Sequence, residues 1–273
     1  MGLVEGQVAF ITGAARGLGR ADAVRFAQEG ADIIALDICE QIESVPYPMG
    51  TPEDLEETVR LVEKEGRRIV AHTGDTRDAA AVKKVVDAGV AAFGRLDIVV
   101  ANAGICCSVG DDGSTDIPIW DDTIGVNVTG VWNTVRHSVP AIIEGARGGS
   151  ITIMSSSAGI KGMLSLNAGD FAYTASKHAV VGLMRSYAMG LAKHSIRVNT
   201  IHPTGVATPM LLNPAVDAFI ARNPTAAENY KNPMPVELID VDDISNAVLW
   251  LASPAARFVT GVMLPVDAGF TAQ

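Results

Sequence analysis

Seven short apolar runs recur along the chain, each separated from the next by a longer stretch in which apolar residues return every third or fourth position. QVAFIT (7–12), ADIIALD (31–37), RRIVAH (67–72), LDIVVAN (96–102), GSITIMSS (149–156), IRVNTIH (196–202) and GVMLPVD (261–267) predict strands. Residues 17–29, 52–65, 78–93, 122–145, 171–193 and 242–252 predict amphipathic helices. Alternation of this kind predicts βαβ units, hence an α/β fold with one doubly wound parallel sheet of seven strands and helices on both faces. A single domain over 1–273 accommodates it. Two segments break the rhythm, an insert at 38–51 and a proline-punctuated stretch at 203–236, both longer than a usual strand-to-helix connection.

Composition narrows the field. With 48% hydrophobic and 19% charged residues among 273, the chain can bury a large core. Its 21 basic against 31 acidic residues give a net charge of −10, which repels a phosphate backbone, so no nucleic acid partner is expected. No segment approaches the roughly 18 apolar residues of a membrane span. The opening MGLVEGQVAFITG has no basic region ahead of an apolar stretch, and Gly6 stands where a myristoylation pattern wants Ser or Thr. A cytoplasmic protein without a membrane partner is expected. Cys39, Cys106 and Cys107 are an odd count without metal-ligand spacing, and read as reduced, small buried fillers. His178, His194 and His202 also lack that spacing, so they read as structural and no catalytic metal is expected.

The first chemical motif is TGAARGLG (12–19), between the first strand and the first helix. A lone glycine pattern is weak evidence; the strand-turn-helix setting strengthens it. Gly13 permits the tight turn, Gly17 lets the backbone approach a pyrophosphate, and Gly19 lets helix and strand pack closely. Asp37 ends the second strand, where an acid bonds ribose hydroxyls and repels a 2′-phosphate. Arg16 is the counterweight, because a basic side chain in the glycine loop can pair with that phosphate. The acid weighs more heavily, and NAD is preferred over NADP.

The second motif is YTASK, which puts Tyr173 and Lys177 on one helix face. Tyrosine is a poor base at neutral pH, and an adjacent ammonium is expected to lower its pKa. Upstream, MSSSAG ends the fifth strand with Ser155, Ser156 and Ser157 at the carboxyl edge where doubly wound sheets bind ligands. A hydroxyl there can donate to a developing oxyanion. Tyrosine and lysine at this spacing are common on exposed helices; their combination with the glycine loop, Asp37 and the serines is not.

Together, TGAARGLG, NAG (102–104), Asn127, the serine run, YTASK and HPTGVATPM (202–210) resemble the short-chain dehydrogenases/reductases over nearly the whole chain. The resemblance implies a Rossmann-type sheet. It implies that Ser156 positions the substrate oxygen, Tyr173 exchanges its proton, Lys177 binds the nicotinamide ribose and Asn127 holds a proton-relay water. It further implies that Asp75 contacts adenine, that Asn102 steadies the fourth strand, and that the segment after Pro203 covers the nicotinamide and forms a substrate lid. Leu18, Thr76, Ala103, Gly104, Val206 and Thr208 complete the implied cofactor-binding set. Thr204 stands where the family usually has glycine.

A narrower resemblance covers DICEQIESVPYPMGTPEDLEETVRLVEKEGRR with FITGAARG before it and GRLDIVVANAGI after it. This run looks like the carveol dehydrogenase-type, mycofactocin-associated members, which carry such an insert beside the adenosine end of NAD. It implies oxidation of a secondary alcohol with tightly held NAD and electrons passed to a mycofactocin-type redox partner. Pro46, Pro48 and Pro52 stiffen an extended segment, and Tyr47 offers an aromatic face, so a flap over adenine with Tyr47 near the adenine or its ribose is expected. The bland alternative is an embellishment that packs Tyr47 and Met49 on the protein's own body.

The loops around the serine–tyrosine pair supply Ile160, Met163, Leu164, Met210, Leu211, Leu212 and Phe219, which suit a small apolar alcohol or ketone. Val126, Val131, Val135, Met184 and Leu191 make helices 122–145 and 171–193 apolar around much of their circumference, and the family typically forms homotetramers. Three functions compete: an NAD-dependent, carveol-like alcohol dehydrogenase, an NADP-dependent 3-oxoacyl thioester reductase favoured by Arg16, and a silent dinucleotide sensor. Asp37 disfavours the second, and intact Ser156, Tyr173, Lys177 and Asn127 disfavour the third.

Overall fold

Period-two alternation along buried strands builds two layers around one sheet. In β1 (Val8–Thr12), Val8 and Phe10 join the core on one face while Ala9 and Ile11 join the core on the other. The computed structural model describes residues 2–107, 116–163, 167–222, 228 and 231–273. Among these, β2 (Asp32–Asp37), β3 (Ile69–Thr73), β4 (Ile98–Ala101), β5 (Gly149–Met154), β6 (Ile196–Pro203) and β7 (Met263–Val266) complete a seven-stranded sheet. The strand order is β3-β2-β1-β4-β5-β6-β7, and every pairing is parallel. The order reverses between β1 and β4, which opens a crevice at their carboxyl ends.

Helices α1 (Gly17–Gln28), α2 (Pro52–Lys64) and α8 (Val241–Ala252) cover one face, through residues such as Phe26, Val62, Ile244 and Val248. Helices α3 (Ala79–Phe93), α5 (Val131–Gly145) and α6 (Ala168–Leu191) cover the other, through Val82, Val135, Ile142 and Met184. A Rossmann-type α/β sheet is what the pattern predicts, and the strand ends agree within two residues. Helix α2 starts at a full capping box: the Thr51 hydroxyl accepts from the Asp54 amide at 3.2 Å, and the Asp54 carboxylate accepts from the Thr51 amide at 3.0 Å. Pro52 therefore opens a helix rather than stiffening the insert.

The stretch predicted as one helix over 122–145 differs. Helix α4 (Asp116–Ile124) begins earlier, a π turn occupies Gly125–Gly130, and α5 follows without a gap. The cause is close packing at the turn: a Cβ on Gly130 would lie 2.4 Å from the Thr76 hydroxyl, and the Asn127 side chain turns inward to the chain after β4. A second helix that the pattern misses, α7 (Pro214–Arg222), lies within the long segment after β6. Val126, Val131, Val135, Met184 and Leu191, which make the predicted helices apolar around much of their circumference, are all buried against the protein's own body. The exposed large apolar residues described on these helices are instead Ile117, Trp120, Trp132, Phe171 and Met189. No helix of the described residues is long and apolar enough to cross a membrane.

One buried group runs against the pattern. Asp22 in α1 is fully buried, and neither carboxyl oxygen has a hydrogen-bond partner. Burial pushes its pKa well above the usual carboxylate value, which favours the neutral form in the native protein. The unfolded chain ionises it from about pH 4 upward, so the stability cost is absent below that pH and grows as pH rises toward the native pKa. Asp22→Asn, which keeps the shape and cannot ionise, should melt at a temperature close to the parent's near pH 4 and increasingly above it toward pH 8. A gap that stays constant across that range would contradict neutral burial.

Candidate active site

Asn102 holds the crevice at its base. Its side-chain amide donates to the Thr12 carbonyl at 3.0 Å, and the Thr12 hydroxyl accepts from the Asn102 and Ala103 amides at 3.2 and 3.1 Å. The end of β4 is thereby fastened to the end of β1. The glycine loop packs on that junction. A Cβ on Gly13, whose φ is +69°, would lie 2.9 Å from Ala103 Cα, and one on Gly19 would lie 2.0 Å from the Gly13 carbonyl oxygen. Gly17 faces Thr208 across ordinary contact distance.

Above this floor lies a cavity of about 960 Å³, within the range of small-molecule and cofactor sites. All the candidate site residues line it except Gly19, which packs beneath the loop, and Asn127. Asp37 is oriented by two backbone donors, from Ala15 at 2.9 Å and Cys39 at 3.1 Å. Arg16, the candidate phosphate ligand, donates its guanidinium to the Pro48 carbonyl in the insert. Asp75 accepts from the Arg77 main chain at 2.8 Å and from the guanidinium at 2.7 Å, and Arg77 also pairs with Asp122 at 2.6 Å.

The catalytic candidates converge from three elements. Ser156 follows β5; its hydroxyl accepts from the Ala158 amide at 3.1 Å and faces the Tyr173 phenol closely enough to favour the phenolate. Ser155 is committed elsewhere, its hydroxyl donating to the Lys177 carbonyl at 3.0 Å. Lys177 is buried, donates to the Met154 carbonyl at 3.0 Å, and holds its ammonium 5.4 Å from the Tyr173 ring centre. Gly104 leaves room for it, since a Cβ there would lie 3.4 Å from Nζ and 3.3 Å from Asn127 Oδ1.

Asn127 sits in the π turn with its amide fully engaged: Oδ1 accepts from the Ile105 amide at 2.9 Å, while Nδ2 donates to the Ile105 carbonyl at 2.9 Å and to the Ser176 hydroxyl at 3.1 Å. His202, expected as structural, ties the end of β6 to the chain after β5. Its Nδ1–H donates to the Ser156 carbonyl at 2.7 Å, Nε2 accepts from the Thr200 hydroxyl at 2.8 Å, and burial lowers its pKa so that it stays neutral. Thr204 needs no glycine, because its φ is not in the left-handed region, and its hydroxyl donates to Asn232 at 3.2 Å.

Two expectations are corrected here. Burial, not Lys177, dominates the Tyr173 pKa in this arrangement: it raises the phenol well above its ordinary value, and burial lowers Lys177 itself to about 8. Nor does Tyr47 lie open beside adenine. It is 4% exposed, packs with Ile42, Val45, Ile105 and Val126, and its hydroxyl accepts from the Cys106 amide at 3.1 Å. A buried phenol oxygen requires a partner, and the amide after Ile105 is where it finds one.

The insert nonetheless walls the cavity through Ile38, Ile42, Tyr47, Met49 and Gly50. Gln41 gives it shape, donating to the carbonyls of Ile42, Val45 and Tyr47 and accepting from the Met49 amide. Ser44 fixes it to α4 by donating to Asp122 at 2.7 Å. Of the apolar loop residues, Met163, Met210, Leu211, Leu212 and Phe219 line the cavity, Ile160 does not, and Leu164 lies outside the described residues. Cys107 is a buried filler with its thiol pushed up to about 11, and Cys39 is half-buried and likewise pushed up to about 11. Cys106 instead lines the cavity near Tyr173. Sequence pattern missed Cys106, Asp170, Met234 and Phe270 as wall residues because none belongs to a motif.

A crevice at the strand-order reversal, bare glycine backbone at a helix start, an acid at the end of β2 and a serine–tyrosine–lysine cluster define a dinucleotide-dependent oxidoreductase site. The chain belongs to the short-chain dehydrogenase/reductase family: a family model described as enoyl-(acyl carrier protein) reductase matches residues 13–271. It is 56% identical to an uncharacterised oxidoreductase of Mycobacterium tuberculosis, over 98% of this chain and 97% of that protein. It is 46% identical to (-)-trans-carveol dehydrogenase of Rhodococcus erythropolis over 99% of each. The crystal structure of carveol dehydrogenase from Mycobacterium avium in complex with NAD superposes with a TM-score of 0.93 at 48% identity, covering 100% of both chains.

The residues fit a dinucleotide, and the engagement of Arg16 by Pro48 weakens its claim on a 2′-phosphate. Asp37→Ala should therefore shift the ratio of NAD to NADP dissociation constants toward NADP by roughly ten- to a hundred-fold, read by calorimetry. Arg16→Ala should shift it less than Asp37→Ala does. The reverse ranking would show that Arg16, not Asp37, decides.

Proposed function

We propose that this oxidoreductase converts small apolar secondary alcohols of carveol-like size to ketones. NAD is its cofactor. The observation that carries the reading is the Ser156–Tyr173 pair set in one cavity with both the glycine loop and an apolar wall of Met163, Met210, Leu211 and Phe219. Gly13, Gly17 and the start of α1 would hold the pyrophosphate, Asp37 the adenosine ribose and Lys177 the nicotinamide ribose. Bound there, NAD supplies the hydride acceptor.

The chain's own residues handle the oxygen and its proton. The Ser156 hydroxyl and Tyr173 phenol hold the carbinol oxygen, and Tyr173 takes its proton. Because burial raises the phenol pKa, proton acceptance depends on positive charge close by, and Lys177 is the fixed group placed to provide it. The Asn127 side-chain amide is spent on Ile105 and Ser176, so its part is to hold the chain after β4 against α6 beside the catalytic pair. Tyr173→Phe should leave NAD affinity near the parent value while the oxidation rate falls on the order of 10²- to 10⁴-fold. Near-normal turnover by that variant would end the assignment.

The insert supports a second part of the proposal, that NAD exchanges slowly and that a mycofactocin-type partner reoxidises it in place. Its anchors at Arg16, Asp122 and Cys106 would have to yield together for the wall to open. Preformed order of this kind appears mainly as a slower off-rate. The check is to mix protein purified without added cofactor with isotopically labelled NAD and follow exchange by mass spectrometry. Minutes or longer are expected for the intact protein, and faster exchange once 42–52 is replaced by a short glycine linker. Complete exchange within seconds in both would make the insert decoration.

A further inference from the structure

The chain that leaves β4 passes directly beside the Lys177 ammonium. A Cβ on Gly104 would lie 3.4 Å from Lys177 Nζ and 3.3 Å from Asn127 Oδ1. The next residue, Ile105, is held at both main-chain groups by Asn127, whose amide also reaches α6 at Ser176, the residue before Lys177. One further hydrogen bond fixes this stretch, and it comes from the insert: the Cys106 amide donates to Tyr47 Oη at 3.1 Å.

Packing alone does not call for that hydroxyl. The Tyr47 ring sits among Ile42, Val45, Ile105 and Val126 and is 4% exposed, a place that phenylalanine would fill equally well. A phenol buried there needs a partner for its oxygen, and the partner it has is the main chain beside the catalytic lysine. Lys177 donates to the Met154 carbonyl at 3.0 Å, so its ammonium is located by that carbonyl and by the close approach of Gly104.

We propose that Tyr47 is a positioning residue for the oxidation: by holding the Cys106 amide it fixes residues 104–106 against Lys177, and so keeps the ammonium where Tyr173 needs it when the phenol takes the carbinol proton. This rests on the alcohol-oxidation reading and extends the insert's part from cofactor retention to the chemical step. Tyr47→Phe keeps the ring and removes only the bond. A shift of about 1 Å in a reacting group can slow a reaction by roughly a hundred-fold, so a smaller displacement of the ammonium should be plainly measurable.

The test uses NAD-loaded protein, with bound NAD counted by mass spectrometry so that every rate is per loaded site. Rapid mixing with cyclohexanol or 2-cyclohexen-1-ol gives the first turnover as the appearance of bound NADH. In Tyr47→Phe the saturating rate should fall about ten-fold while the alcohol concentration giving half of it changes little. Deuterium at the carbinol carbon should slow the variant at least as much as the parent, which marks the chemical step as the one affected. Ser44→Ala removes the insert's bond to Asp122 and leaves the Cys106 bond in place, so it should slow the first turnover by a smaller factor. One readout needs no turnover: Lys177, buried in the parent, should be reductively methylated faster in Tyr47→Phe.

The proposal fails if the per-site rate of Tyr47→Phe matches the parent, if Lys177 methylation is unchanged, or if Ser44→Ala slows the first turnover as much, because general loosening of the insert would then explain the loss. A parent that reduces its bound NAD with neither alcohol would sink the alcohol-oxidation reading alone. Faster methylation of Lys177 in Tyr47→Phe would still uphold the positioning, and unchanged methylation would end it.

Discussion

The carboxylate of Asp37 is the group on which the cofactor half of the molecule depends. One oxygen accepts from Ala15 and so fixes the glycine loop; the other accepts from Cys39 and so fixes the departure of the insert. Gly50, near the end of the insert, returns to the same point, where a Cβ would lie 3.1 Å from Ala15 and 3.5 Å from Asp37. Loop, insert and acid are therefore one packed unit. A carboxylate held by two backbone donors is fixed in orientation at the end of β2.

That unit extends across the site. The insert runs from Asp37 to Tyr47, and Tyr47 reaches the chain after β4, where Cys106 and Ile105 lie beside the catalytic cluster. Asn127 grips Ile105 from the opposite side. The segment 105–107 is thus clamped between the insert and the π turn, and the insert braces the catalytic end of the cavity as well as the adenosine end. Movement of the insert would therefore be felt at both ends of the cavity.

Burial sets the chemistry of the cluster. Tyr173 and Lys177 lose solvent together, and each is driven toward its neutral form: the phenol's pKa rises and the ammonium's falls to about 8. Proximity in sequence suggested that lysine simply acidifies tyrosine; in the folded protein desolvation is the larger effect on both. The same low-dielectric setting strengthens the effect of any charge placed beside the pair.

The sequence by itself determined the sheet, its seven strands, the glycine loop, Asp37 and the serine–tyrosine–lysine set, because each is written in local patterns: alternation, helical spacing, and short motifs at strand ends. Asn102 was legible as a strand-end residue for the same reason. Tertiary structure alone decided the partners. Arg16 turned to Pro48, Tyr47 went inward to Cys106, Asn127 spent its amide on Ile105, and Asp170 kept one oxygen unpaired. Each of these joins segments whose separation no periodicity encodes, or depends on a desolvation that appears only once the chain around it has closed. The π turn between α4 and α5 is of the same kind: its residues read as continuous helix, and only packing against Thr76 and Ile105 breaks the hydrogen-bond register there.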